Sequence, residues 1–508
     1  MQIIDHKRIA RNTLMLYMRM GLIVLIGLWT SRVVLKALGV IDFGLYNVVG
    51  GIVVAFSFVS SAMSAACSRY YAVGLGRQDR DMLSRVYRSN ILLFSILAVA
   101  ILILCETVGL WLLTEKMSIP DSRRTACLQV YQISIVSFLA GLLSTPFRAL
   151  ITARENMKVY AYSSVIEAIL KLLIVFMIDK APMDRLVFYS LLMMLVSLCV
   201  NTFYILYCKH FYAECRSRSK IDGPLTRGIL AFNGWGMIGS LATVCKTQGV
   251  NILLNMFYGP AVNAARGIAN QVYVNVYQFV QNYALAFNPQ IIKSYAAGQR
   301  EGCMDLVFKA SRFSYLLLLA LALPIIAEMP AIMDIWLTEV PAHSISFARI
   351  MMATSLIDSL YPAIYYGINA SGKVKGYNIA VGGCQIAFVI ACYLLLKFCI
   401  IEPEAVFACL LACAVISQAI RVFLAGKYIG LSVRGYLTEV IVPVAGVTVI
   451  CSAVALCITT LIPPSTGRLL LTVIASIASC GFATFHIGLT KAERTALLSK
   501  IKRHESKS

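Results

Sequence analysis

Long apolar runs, each closed by a short polar or charged stretch, recur fourteen times along the 508 residues. They occupy positions 13–36, 43–64, 88–113, 125–149, 159–178, 185–208, 228–255, 262–288, 308–328, 346–369, 377–399, 404–425, 437–461 and 468–489. A hydrocarbon core about 30 Å thick takes roughly 20 helical residues. Only helices or closed barrels cross it with every backbone polar group satisfied. The runs are too long and continuous for barrel strands, so the pattern predicts an all-α polytopic membrane protein of about 14 transmembrane helices. The first run is too long for a signal-peptide core and lacks a small-residue cleavage site, and it is expected to be a retained helix.

The charges between the runs set an orientation. Lys7, Arg8 and Arg11 precede the first helix, and Arg69, Arg77, Arg80, Arg85 and Arg88 fill the second-to-third loop. Lys209, Arg216, Arg218, Lys220 and Arg227 fill the sixth-to-seventh, and the tail carries Lys491, Arg494, Lys500, Lys502, Arg503 and Lys507. About 31 of the 45 basic residues fall on this side and about 11 on the other. Both termini are therefore expected in the cytoplasm, which requires an even number of helices. The formal charge of +21 would suggest nucleic acid in a soluble chain, but beside apolar segments it sets topology, and no nucleic-acid partner is expected. The 16 cysteines are scattered through apolar runs without a C-x-x-C, as small core residues are. There is no G-x-x-x-x-G-K-[ST] for nucleotide and no H-E-x-x-H. Asp79-Arg80-Asp81 reads as a charged turn rather than a sugar-nucleotide metal site. No cofactor, metal or enzymatic activity is expected.

A weak repeat adds architecture. Residues 39–76 resemble residues 259–298, an offset of roughly 220, and in each a glycine turn separates two long helices. Repeats with an even helix number share orientation, so a pseudo-two-fold along the membrane normal is expected. The expected division is an N-lobe of six helices at 1–215, a C-lobe of six at 216–430, two extra helices at 431–490 and a basic cytoplasmic tail at 491–508. Transporters of this kind bind substrate between lobes and expose it to each side in turn.

Polar residues inside the runs are the candidates for chemistry, because ionisable groups cost several kcal/mol in lipid and usually face a cavity or a partner. Arg19 lies seven residues beyond Asn12, roughly 10 Å from the inner interface, and faces a cavity or a structural partner; Lys246 has no acid within a turn; Arg32 and Arg266 sit near outer helix ends, where interfacial anchoring is an alternative. Lys171 follows Glu167 by four residues, the favourable order for an intrahelical pair. Gly236, Ser240, Thr243, Thr247, Asn251 and Asn255 share one face of the seventh helix. Gln271, Asn275, Gln278 and Asn282 do so on the eighth, preceded by Asn263, Arg266 and Asn270. Such a stripe lines an aqueous cavity or glues helices together. Amides suit hydroxyls and the nearby cations suit phosphate or carboxylate, which points to an anionic glycan. Glu106, Glu167 and Asp358 are candidates for binding a coupling ion or for neutralising a basic neighbour.

Arg11-Asn12-Thr13, Thr30-Ser31-Arg32-Val33-Val34-Leu35 and the run Leu38-Gly39-Val40-Ile41-Asp42-Phe43-Gly44-Leu45-Tyr46-Asn47-Val48-Val49-Gly50-Gly51 resemble polysaccharide-export flippases of the Wzx type. So do Gly259-Pro260 through Asn263-Ala264-Ala265-Arg266-Gly267-Ile268-Ala269 and Asn288-Pro289-Gln290-Ile291-Ile292-Lys293-Ser294-Tyr295, especially in members from Bacteroides-like bacteria. These flippases belong to the multidrug/oligosaccharidyl-lipid/polysaccharide exporter superfamily. The resemblance implies a MATE-like fold and transfer of undecaprenyl-diphosphate-linked oligosaccharide from the cytoplasmic to the periplasmic leaflet of the bacterial inner membrane, for O-antigen or capsule. It also implies that Arg19, Arg32, Lys246 and Arg266 meet the diphosphate or acidic sugars while the amides hold the glycan. Implied partners are the lipid-linked oligosaccharide, the bilayer, H+ or Na+, and polysaccharide polymerase machinery. A cation-coupled multidrug exporter of the same superfamily and a membrane glycan polymerase or ligase are the alternatives.

Overall fold

The computed structural model describes residues 6–76, 79–154, 156–178, 181–216, 222–399, 402–490 and 493–495; the side chains of residues 6–20, Arg19 among them, lie outside the described set. Helices fill it. They are α1 (His6–Val54), α2 (Ser57–Gly76), α3 (Arg80–Leu104), α4 (Arg124–Ala153), α5 (Met157–Ile178), α6 (Arg185–Phe211), α7 (Gly223–Tyr258) and α8 (Pro260–Ala296). Then follow α9 (Arg300–Ala327), α10 (Met329–Trp336), α11 (Ser344–Asp358), α12 (Tyr361–Ala370), α13 (Val374–Phe398), α14 (Pro403–Ile429), α15 (Val433–Tyr436), α16 (Val442–Leu461) and α17 (Thr466–Ala483). No strand occurs among the described residues, and nine of their helical segments are long and apolar enough to cross a membrane. The protein is polytopic and all-α.

The fourteen apolar runs fall on helical stretches, but 43–64 is crossed by the turn at Ala55 and Phe56, so it belongs partly to α1 and partly to α2; local chemistry sets the ends. Asp79, Asp184, Asp222 and Ser465 cap α3, α6, α7 and α17, each accepting a backbone N–H from the first turn. Such caps contribute about 1 kcal/mol each. The Asp79-Arg80-Asp81 turn is thus a helix start, with Asp81 paired to Arg85 at 3.2 Å. Gly39 (φ 77°) breaks α1 between the first two runs. Gly259 (φ 83°) ends α7 and Pro260 opens α8 at once, using the left-handed freedom of glycine and the preset φ of proline. The run 346–369 divides into α11 and α12 at Ser359–Leu360, two residues before Pro362.

The chain packs as two units, Met1–Gly267 and Ile268–Ser508, so the boundary lies within α8. In the first, α4 packs along α6, α2 against α4 and α7, and α1 against α4, α5 and α7. Leu45, Val48, Phe94, Val130, Tyr131 and Leu150 are fully buried there. Arg123 ties three helices: its Nε donates to Asp42 of α1 at 2.8 Å and its Nη1 to Asp184, the cap of α6, at 2.5 Å. In the second unit α16 and α17 pack on α9, and α11, α12 and α13 on α14, with Phe347 stacked on Phe407 at 4.1 Å. Arg312 of α9, 2% exposed, donates to both carboxylate oxygens of Glu493 at 2.5 Å and to the Glu439 carbonyl at 3.1 Å. Arg468 reaches buried Glu328 at 2.8 Å, and the Thr472 hydroxyl donates to the same carboxylate at 2.9 Å.

Candidate functional site

The corner where α7 turns into α8 gathers polar groups within the first unit. Asn263, buried, donates from Nδ2 to both the carbonyl and the side-chain oxygen of Asn251, each at 3.1 Å. Asn251 donates in turn to the Asn47 carbonyl on α1 at 3.1 Å. Asn255 accepts the Ser118 backbone N–H at 3.0 Å. These amides therefore span helices far apart in sequence. Glycines admit them: a Cβ at Gly51 would lie 2.3 Å from Asn251 Nδ2, and one at Gly267 2.8 Å from Asn47 Nδ2. At Gly44 it would lie 1.9 Å from the Pro260 carbonyl oxygen. Asn251 thus ties α7 to α1, and Asn255 ties α7 to the segment that precedes α4. Among the described residues, buried Asn255 Nδ2 and Asn263 Oδ1 have no hydrogen-bond partner.

The accessible groups beside this corner are different. Thr243 and Thr247 are exposed on α7, and their hydroxyls donate to the Gly239 and Thr243 carbonyls. Arg266, half-buried, donates from Nη2 to the Thr247 carbonyl at 2.6 Å. Among the described residues it has no carboxylate partner. Lys246 and Arg32 are half-buried and engaged with neighbouring groups. Arg19 lies on α1 with its side chain outside the described set.

In the second unit the amide face of α8 is more open. Gln278 is exposed; Asn270, Gln271, Asn275 and Asn282 are half-buried, with Gln271 and Asn282 engaged with neighbours. Asn275 Nδ2 is buried without a hydrogen-bond acceptor among the described residues. Tyr273 and Tyr277 stack at 5.5 Å on the same helix, and the Tyr277 hydroxyl donates to the Asp358 carbonyl at 3.1 Å.

The three acidic candidates sit beside partners of different kinds. Glu167 takes Lys171 at 2.5 Å along one helix, the pair its spacing suggested. Asp358 lies 3.9 Å from Arg421, whose Nε donates to the Tyr377 hydroxyl and whose guanidinium stacks 4.5 Å over Tyr361. Glu106, on a π-helical turn after α3, accepts from Gln132 at 3.2 Å, a neutral partner. Sequence reasoning missed Arg421 and Arg312. Each lies near the end of its apolar run, where a loop-side charge is ordinary, and nothing local marked either as buried.

Comparison with known proteins places this architecture. A family model described as "Polysaccharide biosynthesis protein" matches residues 9–296. The membrane protein EpsK of Bacillus subtilis (strain 168) is 23% identical over 305 residues, and the match spans 58% of each chain's length. Among solved structures, the lipid II flippase MurJ in an inward closed conformation superposes with a TM-score of 0.67 at 12% identity, covering 93% of this chain and 98% of its own. An inward-facing MATE-family multidrug resistance transporter of the MOP superfamily reaches 0.65 at 12% identity, covering 80% and 94%. This chain shares its fold with both structures.

Proposed function

The chain belongs to the polysaccharide biosynthesis protein family, and from that premise we propose that it is a flippase for a lipid-linked oligosaccharide. On this reading it moves an undecaprenyl-diphosphate-linked glycan from the cytoplasmic to the periplasmic leaflet by alternating access. It would sit in the inner membrane with both termini cytoplasmic and hand its cargo to the machinery that polymerises a surface polysaccharide such as O-antigen or capsule. The observation that carries the reading is Arg266, a guanidinium in an apolar run whose acceptor among the described residues is the Thr247 backbone carbonyl and not a carboxylate.

Burying a cation without a counter-charge is costly, and the cost is offset when an anion arrives. Arg suits phosphate because its planar fork gives two parallel hydrogen bonds, each roughly twice as strong as a neutral one. Arg266, Lys246, Arg32 and Arg19 are accordingly assigned to the diphosphate or to acidic sugars. Thr243, Thr247 and the α8 amides Asn270, Gln271, Asn275, Gln278 and Asn282 are assigned to sugar hydroxyls. Asn251 and Asn255 act by fixing the corner that carries Arg266. Coupling to H+ or Na+ belongs to the same reading. Glu167 and Asp358 each face a basic side chain, so Glu106, beside neutral Gln132, is the carboxylate best placed to take a cation.

The test is mass spectrometry of polyprenyl-diphosphate oligosaccharides in a strain lacking this chain. Accumulation of one discrete lipid-linked glycan supports the reading and identifies the cargo. No accumulation, together with lost efflux of a cationic dye, replaces it with the multidrug reading.

A further inference from the structure

Away from the polar corner, a cavity of about 210 Å³ lies inside the first unit where α1, α4 and α6 meet. Gly50 and Val54 line it from α1, Ser134 and Phe138 from α4, and Met193 and Met194 from α6. No charged side chain reaches it. Two of its hydroxyls are already committed to their own helices, Ser134 to the Val130 carbonyl and Ser190 to the Leu186 carbonyl, both at 2.8 Å. Tyr46 of α1 and Ser137 of α4 add two further hydroxyls, and the remaining side chains of the lining are apolar. Room comes from Gly50, where a Cβ would meet nothing within 4 Å. The two methionines supply flexible, polarisable walls that adapt to an irregular guest.

The three helices all belong to segments long and apolar enough to span a membrane, so the surrounding solvent is hydrocarbon. An empty cavity forfeits dispersion contacts along its whole lining, and apolar cavities stay dry while accepting apolar guests. The lining along α1 runs from Tyr46 to Val54, about 12 Å at 1.5 Å per residue. Val54, at one end, is 44% exposed. That shape suits a length of hydrocarbon chain rather than a compact molecule.

We propose that this cavity is a binding site for one acyl chain of a membrane phospholipid. A phosphorylated polyprenyl lipid is the rival occupant, but the lining offers no cation to select its headgroup, whereas phospholipid is the bulk solvent of these helices. The proposal is independent of what the protein transports.

The test is photocrosslinking of the full chain, reconstituted in vesicles of phosphatidylethanolamine carrying a mid-chain diazirine on one acyl chain, with adducts mapped by peptide mass spectrometry. Adducts are expected within 46–54, 133–138 or 190–194. They should be lost in Gly50→Leu and in Ser137→Leu, which fill the cavity from its α1 and α4 walls, so one suffices if the other does not fold. Labelling at exposed Ile166, Leu173 and Phe176 of α5 should persist in both variants. Absence of adducts from the three segments, or their persistence in the filled variants, would overturn the proposal. So would labelling there by a diazirine polyprenyl phosphate with none by the phospholipid probe.

Discussion

Replacing Gly44 with alanine tests the packing that presents Arg266. The added Cβ would sit 1.9 Å from the Pro260 carbonyl oxygen, 2.7 Å from its carbon and 3.2 Å from the Ala264 nitrogen. All three atoms are backbone, so no side chain can swing aside. An ordinary carbon–oxygen contact is about 3.3 Å or more, so α1 and the start of α8 must part by about 1.4 Å. Overpacking of this kind costs about 1–3 kcal/mol, and two rigid backbones place it at the upper end. Alanine's better helix propensity returns about 0.5–1 kcal/mol. The parting also breaks the 3.1 Å bond from Asn251 to the Asn47 carbonyl, one turn along α1 from Gly44. That adds about 1 kcal/mol. The net loss is about 3 kcal/mol, a fall of about 5 °C for a unit of this size. The assay is thermal unfolding of purified protein followed by fluorescence-detected size exclusion. Gly50→Ala is the control, because its Cβ meets nothing within 4 Å, and its midpoint should hold or rise slightly. A Gly44→Ala midpoint equal to wild type, or an equal fall in Gly50→Ala, would refute the reasoning.

Other outcomes follow from single groups. Arg266→Ala should lower transport roughly ten- to hundredfold, the equivalent of about 1.5–3 kcal/mol for a hydrogen bond to a charged group, with expression unchanged; export measured in a complemented deletion strain checks this. Glu493→Gln leaves Arg312 buried without its counter-charge and should cost about 3–5 kcal/mol, while Arg312→Met with Glu493→Leu should recover much of the loss in the same unfolding assay. Glu106→Gln should abolish the response of transport to an imposed ion gradient while leaving the melting midpoint near wild type. Burial tends to raise the Asp184 carboxyl, but the Arg123 hydrogen bond and the Val187 and Leu186 amides outweigh it and hold it below the usual carboxylate range. Its stabilisation is therefore fully present above the unfolded carboxylate value and is lost only as pH falls through the lowered one. The difference in midpoint between wild type and Asp184→Asn should stay constant from neutral pH down to about pH 4 and shrink only below it.

Much of the fold was legible because a membrane imposes one length and one composition on every spanning segment. The glycine turns at Gly39 and Gly259 were legible too, since a left-handed residue between apolar runs is a local signal. The short α10 was not. Its eight residues are too few for a spanning run and sit in what composition reads as a loop. The break between α11 and α12 was signalled by Pro362 yet hidden by unbroken hydropathy. At the candidate site, periodicity placed Asn251 and Asn255 on one face but could not name their partners. Asn251 bonds to a residue 204 positions away, and the spacing of an amide stripe is the same whether it faces water or another helix. The Glu167–Lys171 pair was legible because its partner lies one turn along the same helix. The Asp358–Arg421 pair was not, because its partners lie on helices far apart in sequence.

The central claim is that this chain carries a lipid-linked glycan across the bilayer, and leaflet accessibility tests it most directly. Spheroplasts would be treated with an added glycosidase, and the lipid-linked oligosaccharide counted before and after, in cells with the wild-type chain, without it, and with Arg266→Ala. The account predicts that the glycan is digested in wild-type spheroplasts and protected in the other two, having stayed on the cytoplasmic side. Equal digestion in all three strains would contradict it.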